Sequence, residues 1–267
     1  MNEAMEFDRR EIALIAQADE RGLWPISARW ESEIRHALAA LGPDTDLGST
    51  RGLWIGGGAE MKKRWQVSIA RATNVHYLRA KMNVNQPLFD NICALPALRR
   101  LDIEFSSVTN IDGLASLKSL THFGLGASPR LKSIAPLADI RTLRSLGFHG
   151  SFRNIRDLEP ISSLFSLEGL VLAGPDTKIQ RYESFRPLES LANLRLFESW
   201  SVRVRSGGLL PLRKLQTLEY LSIPALQLKF WPKKEFQALH EALPNLKNDV
   251  VRLAATDAEF QRQYSIK

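Results

Sequence analysis

The chain has 267 residues, of which 44% are hydrophobic and 24% are charged, so most of it is expected to fold and not to stay disordered. It carries 36 Lys or Arg against 29 Asp or Glu, a formal net charge of +7. No apolar run approaches the roughly 18 residues that a membrane-spanning helix needs, and a single cysteine, Cys93, excludes an internal disulfide.

Charge is distributed unevenly along the chain. Residues 1–48 contain five Arg and ten Asp or Glu, a net charge of −5, which leaves +12 for residues 49–267. The first residues are acidic and lack the apolar core of a secretory signal. Together with the single cysteine, this composition predicts a protein of the reducing cytoplasm.

Residues from about 3 to 41 are predicted to be helical. One apolar stripe recurs at helical spacing and consists of Trp30, Ile34, Ala37, Leu38 and Leu41. Gly42 and Pro43 are expected to end this helix. A less regular helix is predicted over about residues 3–18.

A short strand, Leu-Trp-Ile at residues 53–55, and three glycines follow. A glycine run after a strand can cradle a phosphate, but no Gly-Lys-Ser or Gly-Lys-Thr follows here, so a turn is the favoured interpretation. The basic run at residues 62–64 is either a phosphate contact or a solvated loop, and the solvated loop is favoured.

A six-residue motif, Leu-x-x-Leu-x-Leu with related apolar residues allowed, recurs from residue 98 to residue 223. Its copies start at Leu98, Leu120, Leu143, Leu167, Leu191 and Leu218. Their central apolar residues are spaced by 22, 23, 24, 24 and 27 positions, and a degenerate copy at residues 75–80 precedes them. A period in this range predicts a solenoid of leucine-rich repeats.

With these motifs the chain resembles leucine-rich-repeat proteins of the short class, about 22 residues per repeat, as in bacterial internalins and phosphatase regulators. The resemblance covers about residues 75–247. It implies an α/β solenoid with right-handed curvature, short parallel strands on the concave face and brief turns on the convex side. The fold hosts many functions, so the resemblance implies little about the function.

Three segments are predicted. Residues 1–48 form a helical N-terminal cap, and residues 49–229 form the solenoid, with regular repeats at about 75–225. Residues 230–267 form a C-terminal cap and tail, with a helix around residues 236–243 that ends at Pro244. The caps are expected because the end repeats of a solenoid would otherwise expose their apolar cores.

Strand alternation predicts which side chains face outward on the concave side. The candidate partner-binding residues are Tyr77, Arg79, Arg100, Asp102, Glu104, His122, Asn193, Arg195, Phe197, Trp200 and Tyr220. Neighbouring repeats place Arg79 beside Asp102 and Lys81 beside Glu104. The middle of the face is nearly bare, with Gly124, Gly126, Gly147, Gly169 and Ala173. These small residues are either a trough for a partner or a requirement of strand curvature, and the sequence does not choose between the two.

No catalytic or metal-binding constellation is predicted. Asp102, Glu104, His122 and His149 have the chemistry of metal ligands, but they occupy different rows and lack a compact ligand spacing. Cys93 stands among small apolar residues and is expected to be a buried structural thiol. We therefore expect no metal, no cofactor and no enzymatic activity.

The favoured hypothesis is a non-enzymatic protein-interaction module, acting as a bacterial adaptor, effector or immunity-type inhibitor. It would bind a partner with an acidic surface through the concave face and a C-terminal rim that includes an insertion at residues 200–208. The alternative is nucleic-acid binding by the basic solenoid, through residues 62–64, 203–205 and 233–234. It is less favoured because these charges lie in loops of different repeats. The sequence leaves the oligomeric state open.

Overall fold

The computed structural model describes residues 42–175 and 178–267. The helices predicted for the first 41 residues lie outside this range. In the described part of the chain, two sheets, five helices and a series of 3-10 turns alternate regularly.

Ten strands are present in the described residues. They are β1 Gly52–Gly56, β2 Tyr77–Val84, β3 Arg100–Ser106, β4 His122–Ala127, β5 Ser145–His149, β6 Gly169–Ala173, β7 Gln180–Ser184, β8 Leu196–Trp200, β9 Val202–Ser206 and β10 Tyr220–Ser222. Eight of them form one parallel sheet in the order β1-β2-β3-β4-β5-β6-β8-β10. The other two, β7 and β9, form a separate parallel pair. The short strand predicted at residues 53–55 is therefore confirmed, and it is the first strand of the main sheet.

Short 3-10 turns lie between most consecutive strands, and one more follows the last strand. They span Ile69–Arg71, Asp112–Ser116, Ala135–Asp139, Glu159–Ser163, Arg186–Ser190, Leu210–Lys214 and Ala225–Phe230. Four of them begin with a proline near the first position, where a fixed φ suits the turn and the missing N–H needs no partner. At least one apolar side chain per turn, such as Leu137 or Leu188, is fully buried. The brief turns implied by the resemblance are therefore present.

Five helices complete the described chain: α1 Ala59–Ser68, α2 Gln86–Cys93, α3 Lys233–Ala242, α4 Val250–Thr256 and α5 Ala258–Gln263. Helix α2 takes the place of a 3-10 turn, and the Asn85 side chain caps it by accepting from the Leu88 N–H at 3.3 Å. The helix predicted around residues 236–243 is confirmed as α3, with Phe236 and Leu239 buried.

The core lies between the strands and the turns. In each regular copy the central apolar residue and the apolar residue two positions later, such as Leu170 and Leu172, are buried. At the last strand the Asn248 side chain completes the backbone pairing, since its Nδ2 donates to the Leu221 carbonyl at 2.8 Å and its Oδ1 accepts from the Leu221 N–H at 3.1 Å. These bonds pair the backbone of Leu221 at the edge of the sheet.

The register predicted for the fifth copy, which starts at Leu191, is wrong. The sequence places its centre at Leu194, whereas the sheet pairs Phe197 with Leu170 on one side and with Leu221 on the other. The ambiguity arises because apolar residues recur every three positions before this strand, at residues 188, 191 and 194. The extra strand β7 lengthens this repeat, so its centre falls three residues later than the leucine pattern indicates.

Candidate functional site

The face of the main sheet opposite the core carries the outward side chains of all eight strands, and we call it the ladder face. Its first row is Gly52, Tyr77, Arg100, His122, Ser145, Gly169, Leu196 and Tyr220. Its middle row is Trp54, Arg79, Asp102, Gly124, Gly147, Val171, Glu198 and Ser222. This is the surface that the sequence predicted as the partner-binding face.

Arg79 and Asp102 are neighbours, as predicted. Arg79 Nε lies 3.0 Å from Asp102 Oδ2, and the Asp102 side chain is almost fully buried. Burial raises the pKa of Asp102 to about 7, although the Arg79 charge opposes the change. Arg79 and Asp102 lie within ion-pair distance of each other. Neither side chain therefore needs a charged group of a partner protein to balance it.

Lys81 does not form the expected pair with Glu104. The register of β2 and β3 shifts between Ala80 and Asn83, so Lys81 and the residue after it share the position opposite Glu104. No ion pair joins Lys81 and Glu104 in the described chain. Lys81 Nζ instead lies 5.2 Å from the centre of the Trp54 ring.

An exposed group of side chains lies on β1 and on the C-terminal halves of β2 and β3, and we call it the aromatic patch. It consists of Trp54, Lys81, Asn83 and Phe105. Trp54 is 37% exposed and Phe105 is 50% exposed. Because Trp54 and Phe105 are two strands apart and three residues out of register, they span roughly 14 Å.

Sequence reasoning missed both aromatic residues. Trp54 lies between Leu53 and Ile55, a Leu-x-Ile motif 25 positions before its partner Leu78 in β2, and this signal could have extended the repeats by one copy. Phe105 lies two positions beyond the repeated motif, so an alignment of the motif copies does not include it. In the structure the register shift between β2 and β3 pairs Phe105 with the exposed Asn83, and the Phe105 side chain is exposed beside it.

Several residues that the sequence predicted to contact a partner are partly or fully buried in the structure. Tyr77, Arg100 and Glu104 are partly buried on the ladder face, whereas His122 and Tyr220 are nearly inaccessible. His122 Nδ1 lies 2.9 Å from Thr121 Oγ1, within hydrogen-bond distance. The prediction that His122, Tyr220 and Asp102 are exposed is wrong, because neighbouring rungs enclose them.

The shifted register also moves three predicted contact residues. Asn193 and Arg195 come before β8, where Asn193 Nδ2 donates to the Phe165 carbonyl at 2.7 Å and Arg195 Nε donates to Glu219 at 2.6 Å. Phe197 turns inward, is fully buried and packs edge-to-face on Phe185 with ring centres 5.3 Å apart. Phe197 is therefore a core residue, and its predicted location on the outer face is wrong. Trp200 is at the end of β8, partly buried, with its Nε1 3.4 Å from Ser222 Oγ.

The bare positions on the ladder face have at least one purely structural cause. A side chain at Gly126 would overlap the backbone carbonyl of Glu104 on the adjacent strand, so only glycine fits there. Gly126 therefore follows from the close approach of β3 and β4.

Two buried polar groups near the middle of the face have no hydrogen-bond partner at one atom, Oε2 of Glu198 and Nε2 of His149. Burial raises the pKa of Glu198 to about 8 and lowers the pKa of His149 to about 4, so both groups favour their neutral forms. Buried polar atoms of this kind call for an explanation, because nearly all such atoms in proteins are paired.

The edge of the sheet where the strands begin is lined by paired charges, and we call it the paired flank. A cleft of about 1230 Å³ there includes Arg144, Glu168, Arg195, Glu219 and Lys247. Arg144 Nε donates to Glu168 at 2.7 Å, and Lys247 Nζ lies 2.6 Å from Glu219. Three cations face two carboxylates here, and all five groups are paired, so the cleft has a net charge of only +1.

The described residues show no constellation for metal chemistry. Across 42–175 and 178–267, no group of three His, Cys, Asp or Glu side chains could hold a metal ion. Cys93 is buried as predicted, and burial together with nearby Asp90 raises the pKa of its thiol, which disfavours the reactive thiolate. Within the same ranges, no helix has the length and apolar character to cross a membrane.

Comparison with solved structures identifies the fold. An internalin (inlF) from Listeria monocytogenes is 20% identical over 85% of this chain and 75% of its own, with a TM-score of 0.53. The chain has an internalin-like leucine-rich-repeat fold. A second Listeria internalin (inlC2) is 18% identical over 66% of this chain and 75% of its own, with a TM-score of 0.47. The mouse RP105/MD-1 complex is 15% identical over 66% of this chain and 30% of its own, with a TM-score of 0.46.

No protein-family model matches the sequence, and no curated protein matches it either. The predicted leucine-rich-repeat class is confirmed by structural likeness to the internalin. At 20% identity that likeness concerns the fold and leaves the function to be argued from the surface.

Proposed function

We propose that this chain is a non-enzymatic protein-interaction module that binds a partner protein on the ladder face, with the aromatic patch as the centre of the interface. The observation that carries the proposal is the exposure of Trp54 and Phe105 together on one face of a rigid sheet. Two large aromatic side chains within roughly 14 Å of each other match the composition of interface hot spots.

The patch is held in a fixed arrangement. Trp54 and Lys81 stand on paired strands, and the cation over the ring restrains both side chains. Phe105 lies in register with Asn83, so the whole patch rests on three consecutive strands. A surface that is ordered before binding loses little conformational entropy when a partner arrives.

Charge around the patch supports an acidic partner surface. Lys81 is exposed and forms no ion pair within residues 42–175 and 178–267, while the neighbouring Arg79 and Asp102 neutralise each other. A carboxylate of the partner beside Lys81 would therefore meet an uncompensated cation. In this proposal the chain acts in the cytoplasm as an adaptor, an effector or an immunity-type inhibitor.

The test is affinity capture from nuclease-treated native lysate with the full chain as bait, in three forms. Wild type is expected to retain one protein in stoichiometric amount, and the double variant Trp54→Ala/Phe105→Ala is expected to lose it. The matched control is Phe165→Ala, an exposed phenylalanine (58%) just before the paired flank. Retention of the same protein by the double variant would reject the aromatic patch as the interface.

A further inference from the structure

Four loops stack along the edge of the solenoid where the strands end, and we call this surface the basic flank. It comprises residues 128–133, 150–157, 174–175, 178–184 and 201–206. These residues hold eight Lys or Arg and two Asp or Glu, a net charge of +6. The cations are Arg130, Lys132, Arg153, Arg156, Lys178, Arg181, Arg203 and Arg205.

Backbone hydrogen bonds place these loops side by side. The Ser128 N–H donates to the Ser151 carbonyl at 3.1 Å, which joins the first loop to the second. The Glu183 N–H donates to the Arg156 carbonyl at 2.8 Å, which joins the second to the third. The third and fourth loops contain β7 and β9, which pair in parallel. Cations that the sequence distributes over several repeats therefore form one continuous surface.

These cations are largely uncompensated. In the described residues of the flank one ion pair is present, between Arg205 and Glu183 at 3.4 Å. Arg181 and Arg203 stand directly opposite each other on β7 and β9, although like charges in register destabilise a strand pair. An anion bound between them would convert this repulsion into attraction. The paired flank, in contrast, compensates its charges internally.

A cleft of about 540 Å³ lies in the middle of the basic flank. Its charged lining residues are Arg153, Arg156, Lys178 and Arg181, and no carboxylate is among the residues that line it. Beside it, the Arg203 guanidinium lies 4.0 Å from the centre of the Phe230 ring, and its buried Nε has no hydrogen-bond partner. The stacked ring holds this guanidinium in place.

We propose that the basic flank binds the phosphate backbone of double-stranded nucleic acid without reading its sequence. Six of the eight cations are arginines, whose planar forks match phosphate oxygens in pairs. The cations repeat along stacked strands about 4.8 Å apart, which gives a linear track for a linear polyanion. No exposed large aromatic residue is found among the described residues of the flank, so a platform for stacking the bases of a single strand is missing there.

The test is fluorescence anisotropy of the full chain with two labelled 20-base-pair duplexes of unrelated sequence, from 50 to 200 mM salt. Wild type is expected to bind both duplexes equally, with a Kd of about 10⁻⁴–10⁻⁶ M near physiological salt. The triple variant Arg153→Ser/Arg156→Ser/Arg181→Ser removes exposed side chains only. It is expected to bind at least about tenfold more weakly and to lower the slope of log K against log salt by about 3.

Matched controls separate this surface from general charge and from the proposed protein interface. Arg144→Ser removes one cation from the paired flank. The loss of duplex affinity per cation removed is expected to be larger in the triple variant of the basic flank than in Arg144→Ser. The double variant Trp54→Ala/Phe105→Ala is expected to bind duplex like wild type. Duplex binding therefore tests the basic flank alone, and partner capture tests the aromatic patch alone. Unchanged duplex affinity in the triple variant would overturn the proposal. So would binding of wild type to vesicles with 30% phosphatidylserine but to neither duplex.

Discussion

Gly126 shows how a single position is fixed by its neighbour on the next strand. We expect Gly126→Ala to lower the free energy of unfolding by about 1–3 kcal/mol, because the added methyl group overlaps the Glu104 carbonyl and the sheet has to shift. The measurement is urea denaturation followed by circular dichroism. Gly56→Ala is the matched control in β1, since its methyl group would lie no closer than 3.8 Å to the Lys81 carbonyl. Equal losses in the two variants would contradict this explanation of the bare position.

Glu198 is expected to make stability depend on pH. The folded chain keeps the Glu198 proton up to about pH 8, since burial raises its pKa from 4.5. The unfolded chain releases the proton near pH 4.5, so between these values the folded state binds more protons and loses stability as pH rises. Glu198→Gln removes this dependence and is expected to gain stability over wild type progressively from pH 5 to pH 8.

The readout is the difference in free energy of unfolding between Glu198→Gln and wild type, because this difference cancels the other titrations. Asp102, with a raised pKa, acts in the same direction, and His149, with a lowered pKa, acts in the opposite direction. Glu189→Gln, at an exposed glutamate of the turn Arg186–Ser190, serves as the control. A difference that stays constant across the pH range would show that Glu198 titrates normally.

At the scale of single residues, the sequence predicted which side chains lie next to each other better than it predicted how buried they are. It placed Arg79 beside Asp102 because the register follows from the repeat. It did not reveal that burial outweighs the Arg79 charge at Asp102, because accessibility depends on everything that surrounds a rung. For the same reason it assigned buried Tyr220 to a contact surface.

At the scale of elements, β8 is where pattern and structure disagree, and Phe197 decides between the two registers. We expect Phe197→Ala to destabilise the fold by about 3–5 kcal/mol, because the ring is fully buried against Phe185. Thermal and urea denaturation measure the loss, with the exposed Phe165→Ala expected to stay within about 0.5 kcal/mol of wild type. A stable Phe197→Ala protein would support the register that the leucine spacing suggested.

The regular strands were predictable, but the second sheet was not. Leucines at a fixed period specify the strands of the main sheet, since each must bury the same two side chains against the turns. Residues 202–206 alternate Val and Arg, a strand signal that was interpreted only as an insertion at the rim. Its partner β7 has no such apolar alternation, so the pairing becomes evident only when the two segments lie side by side.

At the scale of the whole molecule, stacking converts a dispersed charge pattern into two distinct flanks. The net charge of the solenoid predicted a partner with an acidic surface. The sequence alone did not indicate on which surface of the solenoid the basic residues gather. In the structure the paired flank is internally compensated and the basic flank is not, while the aromatic patch lies on the face between them. The position of each loop in the stack depends on register and insertions, and neither follows from composition.

The central claim is that the aromatic patch binds a partner protein, and calorimetric titration of the captured partner into the full chain tests it most directly. Wild type and Phe165→Ala are predicted to bind with equal Kd. Trp54→Ala and Phe105→Ala are each predicted to raise the Kd by about tenfold or more, as expected for hot-spot side chains. Equal Kd values for all four proteins, each with an unchanged melting temperature, would contradict the account and place the interface elsewhere on the solenoid.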